Sequence, residues 1–137
     1  LNMVEETARE LKAAGKKRPG ILATTGTVST GLFQSAFSGL GLEAAIPKEP
    51  EQALVMSLIY DEIKAGKPAS PEKFHRLSEA LYGAGCDCIV LGCTELSLIK
   101  KSAGLDSRYL DALEVLAKRC VEECGGTLKP EYKTLLC

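Results

Sequence analysis

The sequence predicts an α/β fold: a three-layer sandwich on a small parallel sheet of three to four strands. Three observations lead there. Two short apolar runs, Gly20-Ile21-Leu22-Ala23-Thr24 and Cys86 to Leu91, have strand length and lie between glycine or proline breakers. Segments with apolar residues at helical spacing surround them, and such alternation implies a parallel sheet between helical layers. So few strands make a thin sheet for an independent domain, so the chain is expected to be half of a larger two-domain protein.

The elements follow in order. Val4, Ala8 and Leu11 recur at helical spacing, so residues 3–15 form an amphipathic helix that stops at Gly15. Pro19 opens the first strand, and the polar turn Thr24-Thr25-Gly26-Thr27 follows. A helix through Leu32, Phe33, Ala36 and Phe37 ends near Gly39 or Gly41, and Leu42 to Ile46 is a weaker strand stopped by Pro47. Val55, Ile59 and Ile63 lie four apart on a long helix over residues 50–65, closed by Gly66 and Pro68. Ser70 caps the next helix, with Pro71 at its first position and Phe74, Leu77 and Leu81 as its buried stripe. The Cys86–Leu91 strand leads to a short helix over residues 94–101. Leu110, Leu113, Ala117 and Val121 mark a last helix closed by Gly125-Gly126; residues 127–137 carry no clear pattern.

The chain has 137 residues, enough for one domain with a real core. Its net charge of -1 gives no electrostatic footprint for nucleic acid or an anionic membrane. The one basic cluster, Lys16-Lys17-Arg18, reads as a solvated helix end. No apolar run approaches the roughly 18 residues that span a bilayer. Leu1 stands first, without a charged-then-apolar leader, so the chain reads as a piece of something longer or one with an artificial start. Six cysteines, at 86, 88, 93, 120, 124 and 137, lack the spacing of a secreted disulfide framework, and their spacings do not suit zinc. Free thiols in a reducing, cytoplasmic protein are expected.

In open α/β sheets, ligands sit outside the carboxyl ends of the strands. Two polar loops fall there: Thr24–Thr27 and Gly92-Cys93-Thr94-Glu95. Cys93 follows a strand, sits beside Gly92 and precedes a helix start, where helical N–H groups are expected to lower its pKa. The bland alternative is a small buried hydrophobe. Thr94 is expected to cap the helix, and its hydroxyl could also touch a ligand. The threonine loop could hold a carboxylate or a phosphate, or be only a capping turn; without a following Gly-Lys-Ser/Thr it is no P-loop. Lys64 at a helix end reads, unaided, as solvated. His75 is expected to be exposed, and Cys86, Cys88, Cys120 and Cys124 to be packing residues.

Leu91-Gly92-Cys93-Thr94-Glu95-Leu96 resembles the aspartate/glutamate racemase family. Gly20 to Thr27 resembles that family's strand-and-threonine loop, and Ile59-Tyr60-Asp61-Glu62-Ile63-Lys64-Ala65-Gly66 its lysine-bearing helix end. Glu95, where glutamate racemases usually carry histidine, points to the aspartate branch. The resemblance implies two similar α/β domains with an amino-acid substrate between them, no pyridoxal phosphate or other cofactor, and two opposed cysteines that exchange the α-proton. It makes Cys93 the second-domain acid/base and Lys64 a ligand of a substrate carboxylate. Thr24, Thr25 or Thr27 would bind carboxylate oxygens, Thr94 would donate to the substrate, and Glu95 would be a nearby polar group. The first-domain Asn-Thr-x-His motif beside the other cysteine is absent. Residues 1–106 are therefore expected to form the racemase-like domain. Residues 107–137 would be a helix and tail that return to a missing first domain, leaving an apolar face that favours a homodimer or other association. The substrate implied is aspartate or glutamate, and the isolated chain is expected to be inactive. Hydantoin racemases, maleate isomerases and arylmalonate decarboxylases share a Gly-Cys-Thr site, and a non-catalytic carboxylate-binding or regulatory module remains the alternative of a different class.

Overall fold

The computed structural model describes residues 1–136. Cys137, counted above among the free thiols, lies outside them. Three parallel strands, β1 (Pro19–Leu22), β2 (Cys88–Leu91) and β3 (Tyr109–Asp111), lie in the order β1-β2-β3, with Leu22 opposite Leu91 and Leu91 opposite Asp111. All three strands are buried on both faces, as a parallel sheet between helices requires.

The two-residue period of the strands divides the core into two. Ile21, Cys88, Val90 and Leu110 face one side, where they meet Leu11, Phe33, Phe37 and Val115. Those partners come from α1 (Met3–Ala13), α3 (Leu32–Gly39) and α7 (Ala112–Glu123). Leu22, Ile89, Leu91 and Tyr109 face the other side, against Leu58, Ile59, Phe74, Leu77 and Leu96. That layer holds α4 (Glu49–Met56) with the π-helical turn Ser57–Ile63, α5 (Pro71–Gly83) and α6 (Thr94–Ser102). The three-layer α/β sandwich expected from the sequence is the one observed.

Four details differ from the sequence reading. Leu110 belongs to β3, not to the last helix: the strand is only three residues long, too short for a periodic signal, and Asp111 starts the helix by accepting from the Leu113 N–H at 2.9 Å. Leu42–Ile46 shrinks to a single parallel bridge between Gly20 and Ala45 at the outer edge of β1. The long helix over residues 50–65 is α-helical only to Met56, and continues as the π turn with Lys64 N–H donating to the Ile59 carbonyl, five residues back. Cys120 and Cys124 are exposed, because α7 turns Ala112 and Val115, not the cysteine face, toward the core; Cys86 and Cys88 are buried as expected.

Residues beyond 106 pack against this same unit. β3 pairs with β2, and Leu135 and Leu136 enter the α1 side of the core. Lys118 reaches Glu10 at 2.9 Å and Arg119 reaches the buried Glu6 at 3.0 Å, joining α7 to α1. Ser70 caps α5 as its sequence signature predicts, accepting from the Lys73 N–H.

Candidate active site

The parallel pairing of β1 and β2 brings the two polar loops together at one rim. The Gly92 N–H donates to the Leu22 carbonyl at 2.8 Å, so the turn carrying Cys93 leaves the sheet beside the threonine loop. Gly92 has a packing reason: a Cβ there would lie 3.1 Å from the Phe33 ring and 3.3 Å from the Ala23 Cβ. The glycine lets that ring pack directly under the cysteine turn.

Cys93, not Thr94, is the N-cap of α6; its backbone is extended (φ -139°, ψ 138°), and Thr94 is the first helical residue. The half-buried Cys93 Sγ donates to Glu95 Oε2 at 2.8 Å, and Thr94 Oγ1 donates to the same oxygen at 3.1 Å. The other oxygen of Glu95 lies 3.5 Å from Lys64 Nζ. One carboxylate in the first turn of α6 thus gathers a thiol, a hydroxyl and an ammonium. Their combined effect appears in its acidity. The bond from Cys93, the helical N–H groups, Thr94 and Lys64 together hold the Glu95 carboxyl down at about 2. The Cys93 thiol moves the other way. Burial raises its pKa first and the Glu95 carboxylate second, against a smaller lowering by backbone N–H groups. The sequence reading expected the helix terminus to lower that pKa; desolvation and a neighbouring anion outweigh it. The resting pair is a protonated thiol donating to an ionised carboxylate.

The threonine loop opens α2 (Thr25–Thr30). Thr24 Oγ1 accepts from the Thr27 N–H at 3.2 Å and lies 3.0 Å from Thr27 Oγ1. Thr24 therefore performs the capping duty that was the bland alternative, while Thr25 stays exposed at the rim. Two residues of α4 that sequence reasoning passed over hold this loop. Gln52 Nε2 donates to the Ala23 carbonyl at 2.9 Å and approaches Thr25 Oγ1 at 3.4 Å. The Thr25 N–H points at Met56 Sδ, 3.3 Å away. Gln52 Oε1 is buried with no hydrogen-bond partner among the described residues. Nothing in the local sequence marks Gln52 and Met56, because their partners lie some thirty positions away.

Lys64 is not simply solvated. Its ammonium sits between Glu95 and the face of the Tyr60 ring, 4.5 Å from the ring centroid. The turn that carries it is anchored by Glu62, which accepts from the Ser70 N–H at 2.6 Å and from Lys73 Nζ at 2.8 Å. His75 is exposed and pairs with Glu79 on its own helix. The site forms an open rim: a cleft of about 550 Å³ lies elsewhere, between the Gly66–Ala69 loop and α6, and neither Cys93 nor the threonine loop lines it. Among the described residues no group of three or more His, Cys, Asp or Glu side chains could hold a metal ion, and no helix is long and apolar enough to cross a membrane.

The sequence profile of the Asp/Glu/Hydantoin racemase family matches residues 1–120. The chain belongs to that family. Among solved structures, this chain is similar to Picrophilus torridus aspartate racemase, with 28% identity and a TM-score of 0.76 over 98% of this chain and 57% of that one. The fold is also that of an aspartate racemase homologue from Pyrococcus horikoshii, with 21% identity and a TM-score of 0.80 over 91% of this chain and 56% of that one. By sequence it is 26% identical to the glutamate racemase of Shewanella loihica over 110 residues, which are 77% of this chain and 41% of that enzyme. A protein of Pectobacterium carotovorum subsp. carotovorum without a described function is 32% identical over 124 residues, 89% of this chain and 83% of that one. The chain thus spans about half the length of the racemases it matches.

Proposed function

We propose that this chain is the C-terminal part of a cofactor-independent amino-acid racemase acting on aspartate or glutamate, with Cys93 as the acid/base on one face of the substrate α-carbon. The single observation that carries this reading is the run of contacts from Cys93 through Glu95 to Lys64. A racemase of this kind needs a thiol at a helix start, a cation for a substrate carboxylate and hydroxyls or N–H groups for its oxygens, all on one rim.

In this mechanism the thiolate of the second cysteine, on the opposite face, removes the α-proton, and Cys93, starting as the thiol, gives its own proton to the resulting carbanion; Glu95 holds that proton in place until then. For the opposite stereochemical direction Cys93 takes the α-proton as thiolate. The α-proton is far less acidic than a thiol, so the site must stabilise the carbanion by excluding water and by placing cations on the carboxylates. Lys64 supplies one cation and turns from Glu95 to the substrate carboxylate. Thr25 and Thr27 bind carboxylate oxygens, Thr24 shapes their loop, and Thr94 donates to the substrate. The second cysteine comes from the part of the racemases that this chain does not span, docked over the open rim, with the outer face of α7 and the tail meeting that part or a second copy. The free thiols suit a reducing, cytoplasmic setting.

The experiment is proton exchange in deuterated water. The 137-residue chain incubated with L-aspartate should form no D-aspartate, because one thiol serves one face only. The whole protein should form D-aspartate carrying deuterium at Cα, and Cys93→Ser should abolish it. Whole protein that binds aspartate without exchanging its α-proton would make this a carboxylate-binding module instead.

A further inference from the structure

The residues that hold the rim from beneath form a single line. Gln52, Met56, Tyr60 and Lys64 are spaced four apart along α4 and the π turn. Gln52 and Met56 touch the threonine loop at Ala23 and Thr25; Tyr60 and Lys64 touch each other, and Lys64 touches Glu95. A continuous α-helix would spread these residues around its surface. Residues four apart overshoot one α-helical turn by about 40°, so the line would drift by about 120° from residue 52 to residue 64. A π turn, bonded i to i+5, takes more residues per turn, so the same four-residue step falls short and the drift reverses. The change from α to π at Ser57 therefore straightens the line. It lets one helix hold the threonine loop at one end and the lysine at the other.

We infer that the Gln52–Met56–Tyr60–Lys64 line is the positioning element of the site, in which the ring of Tyr60 holds the Lys64 ammonium at the place where a substrate carboxylate would meet it. The inference rests on the carboxylate-binding reading of Lys64 given above, and its first test does not. Tyr60 is 47% exposed, so core packing does not explain the ring, and its face is turned to the ammonium. A cation over an aromatic face at an exposed site is held weakly but directionally. That suits a ligand group that must leave Glu95 for a substrate without wandering into solvent. Gln52 is the counterpart at the other end. Its amide N–H fastens the carbonyl of Ala23, the last residue of the loop's approach.

The test uses the 137-residue chain and two readings. In the ligand-free chain, the Cε protons of Lys64 should be shifted upfield in the NMR spectrum by the Tyr60 ring current. The shift should persist in Tyr60→Phe and vanish in Tyr60→Leu. Lys64 protons at ordinary positions in the wild-type chain overturn the inference, whatever the chain binds. Next, L-aspartate is titrated and the Thr25 and Glu95 amide shifts are followed. Tyr60→Leu should weaken the apparent affinity about threefold, Tyr60→Phe should restore it, and Tyr60→Leu added to Lys64→Met should weaken it no further. Equal affinity in Tyr60→Leu and wild type, or an undiminished effect in the Lys64→Met background, overturns the positioning role. A ring-current shift without any response to aspartate supports the placement of Lys64 and counts against the aspartate reading instead. At the other end, Gln52→Leu should speed amide exchange at Thr27 and leave Ile89 in β2 unchanged; equal exchange at Thr27 removes Gln52 from the element.

Discussion

At the scale of single residues, the site is decided by Glu95. It accepts from Cys93 and Thr94 and faces Lys64, and its anion adds to burial, the larger effect, in raising the thiol's pKa. Removing that anion lowers the Cys93 pKa and raises its thiolate fraction at a given pH. Glu95→Gln should therefore react with iodoacetamide at Cys93 several-fold faster near pH 8, measured by peptide mapping. A rate equal to or below that of the unmodified chain would show that burial alone holds the proton. Lys64 gives a second prediction. In the whole protein, Lys64→Met removes a charge-assisted bond to a carboxylate, worth about 1.5–3 kcal/mol. Racemisation at low substrate should drop roughly 10- to 150-fold, with thermal stability nearly unchanged. Wild-type rates in that variant would return Lys64 to an ordinary surface lysine.

At the scale of elements, the junction of β3 and α7 carries the most specific expectation. Asp111 is 3% exposed, accepts from Ser97 Oγ at 2.8 Å and from the Leu113 N–H at 2.9 Å, and burial raises its pKa. The folded protein therefore holds that proton more tightly than the unfolded chain. Stability from this group is full below the unfolded value of about 3.9 and is lost as pH rises through the raised folded value. Asp111→Asn keeps an acceptor for both donors and cannot ionise. Its Tm at pH 7 should equal or exceed that of the unmodified chain, with the advantage gone near pH 3. Asp111→Ala leaves a helix N–H and a hydroxyl without their acceptor and should cost about 1–2 kcal/mol at pH 7. Calorimetry of the two variants separates ionisation from capping.

At the scale of the whole molecule, the segment after residue 106 completes the sandwich. β3 covers one side of β2, and α7 covers Leu11 and Ala8 of α1. The seam also holds Glu6, 4% exposed, whose buried carboxylate pairs with Arg9 and Arg119, both of which keep part of their side chains in solvent. A chain ending at Asp106 should show no cooperative thermal transition and should expose apolar surface to a hydrophobic dye, whereas the 137-residue chain should unfold in one step. A sharp transition in the shortened chain would support an independent domain ending at residue 106.

The layering, the two four-residue strands and the rim were legible in the amino-acid pattern. Apolar runs of strand length between breakers force a buried parallel sheet, and the polar residues after Leu22 and Leu91 must then emerge at the same edge. It also carried Cys93, Lys64 and Glu95, through motifs whose order and spacing are specific. The rest depended on contacts between distant segments. β3 was illegible because three residues cannot display a period. The π turn was illegible because its apolar residues four apart match an α-helix equally well. Gln52 and Met56 were illegible because a long-range bond to Ala23 or Thr25 leaves no local trace. The protonated state of Cys93 depended on a balance between a helix terminus, known from sequence, and burial beside a carboxylate, which exists only once the chain has folded.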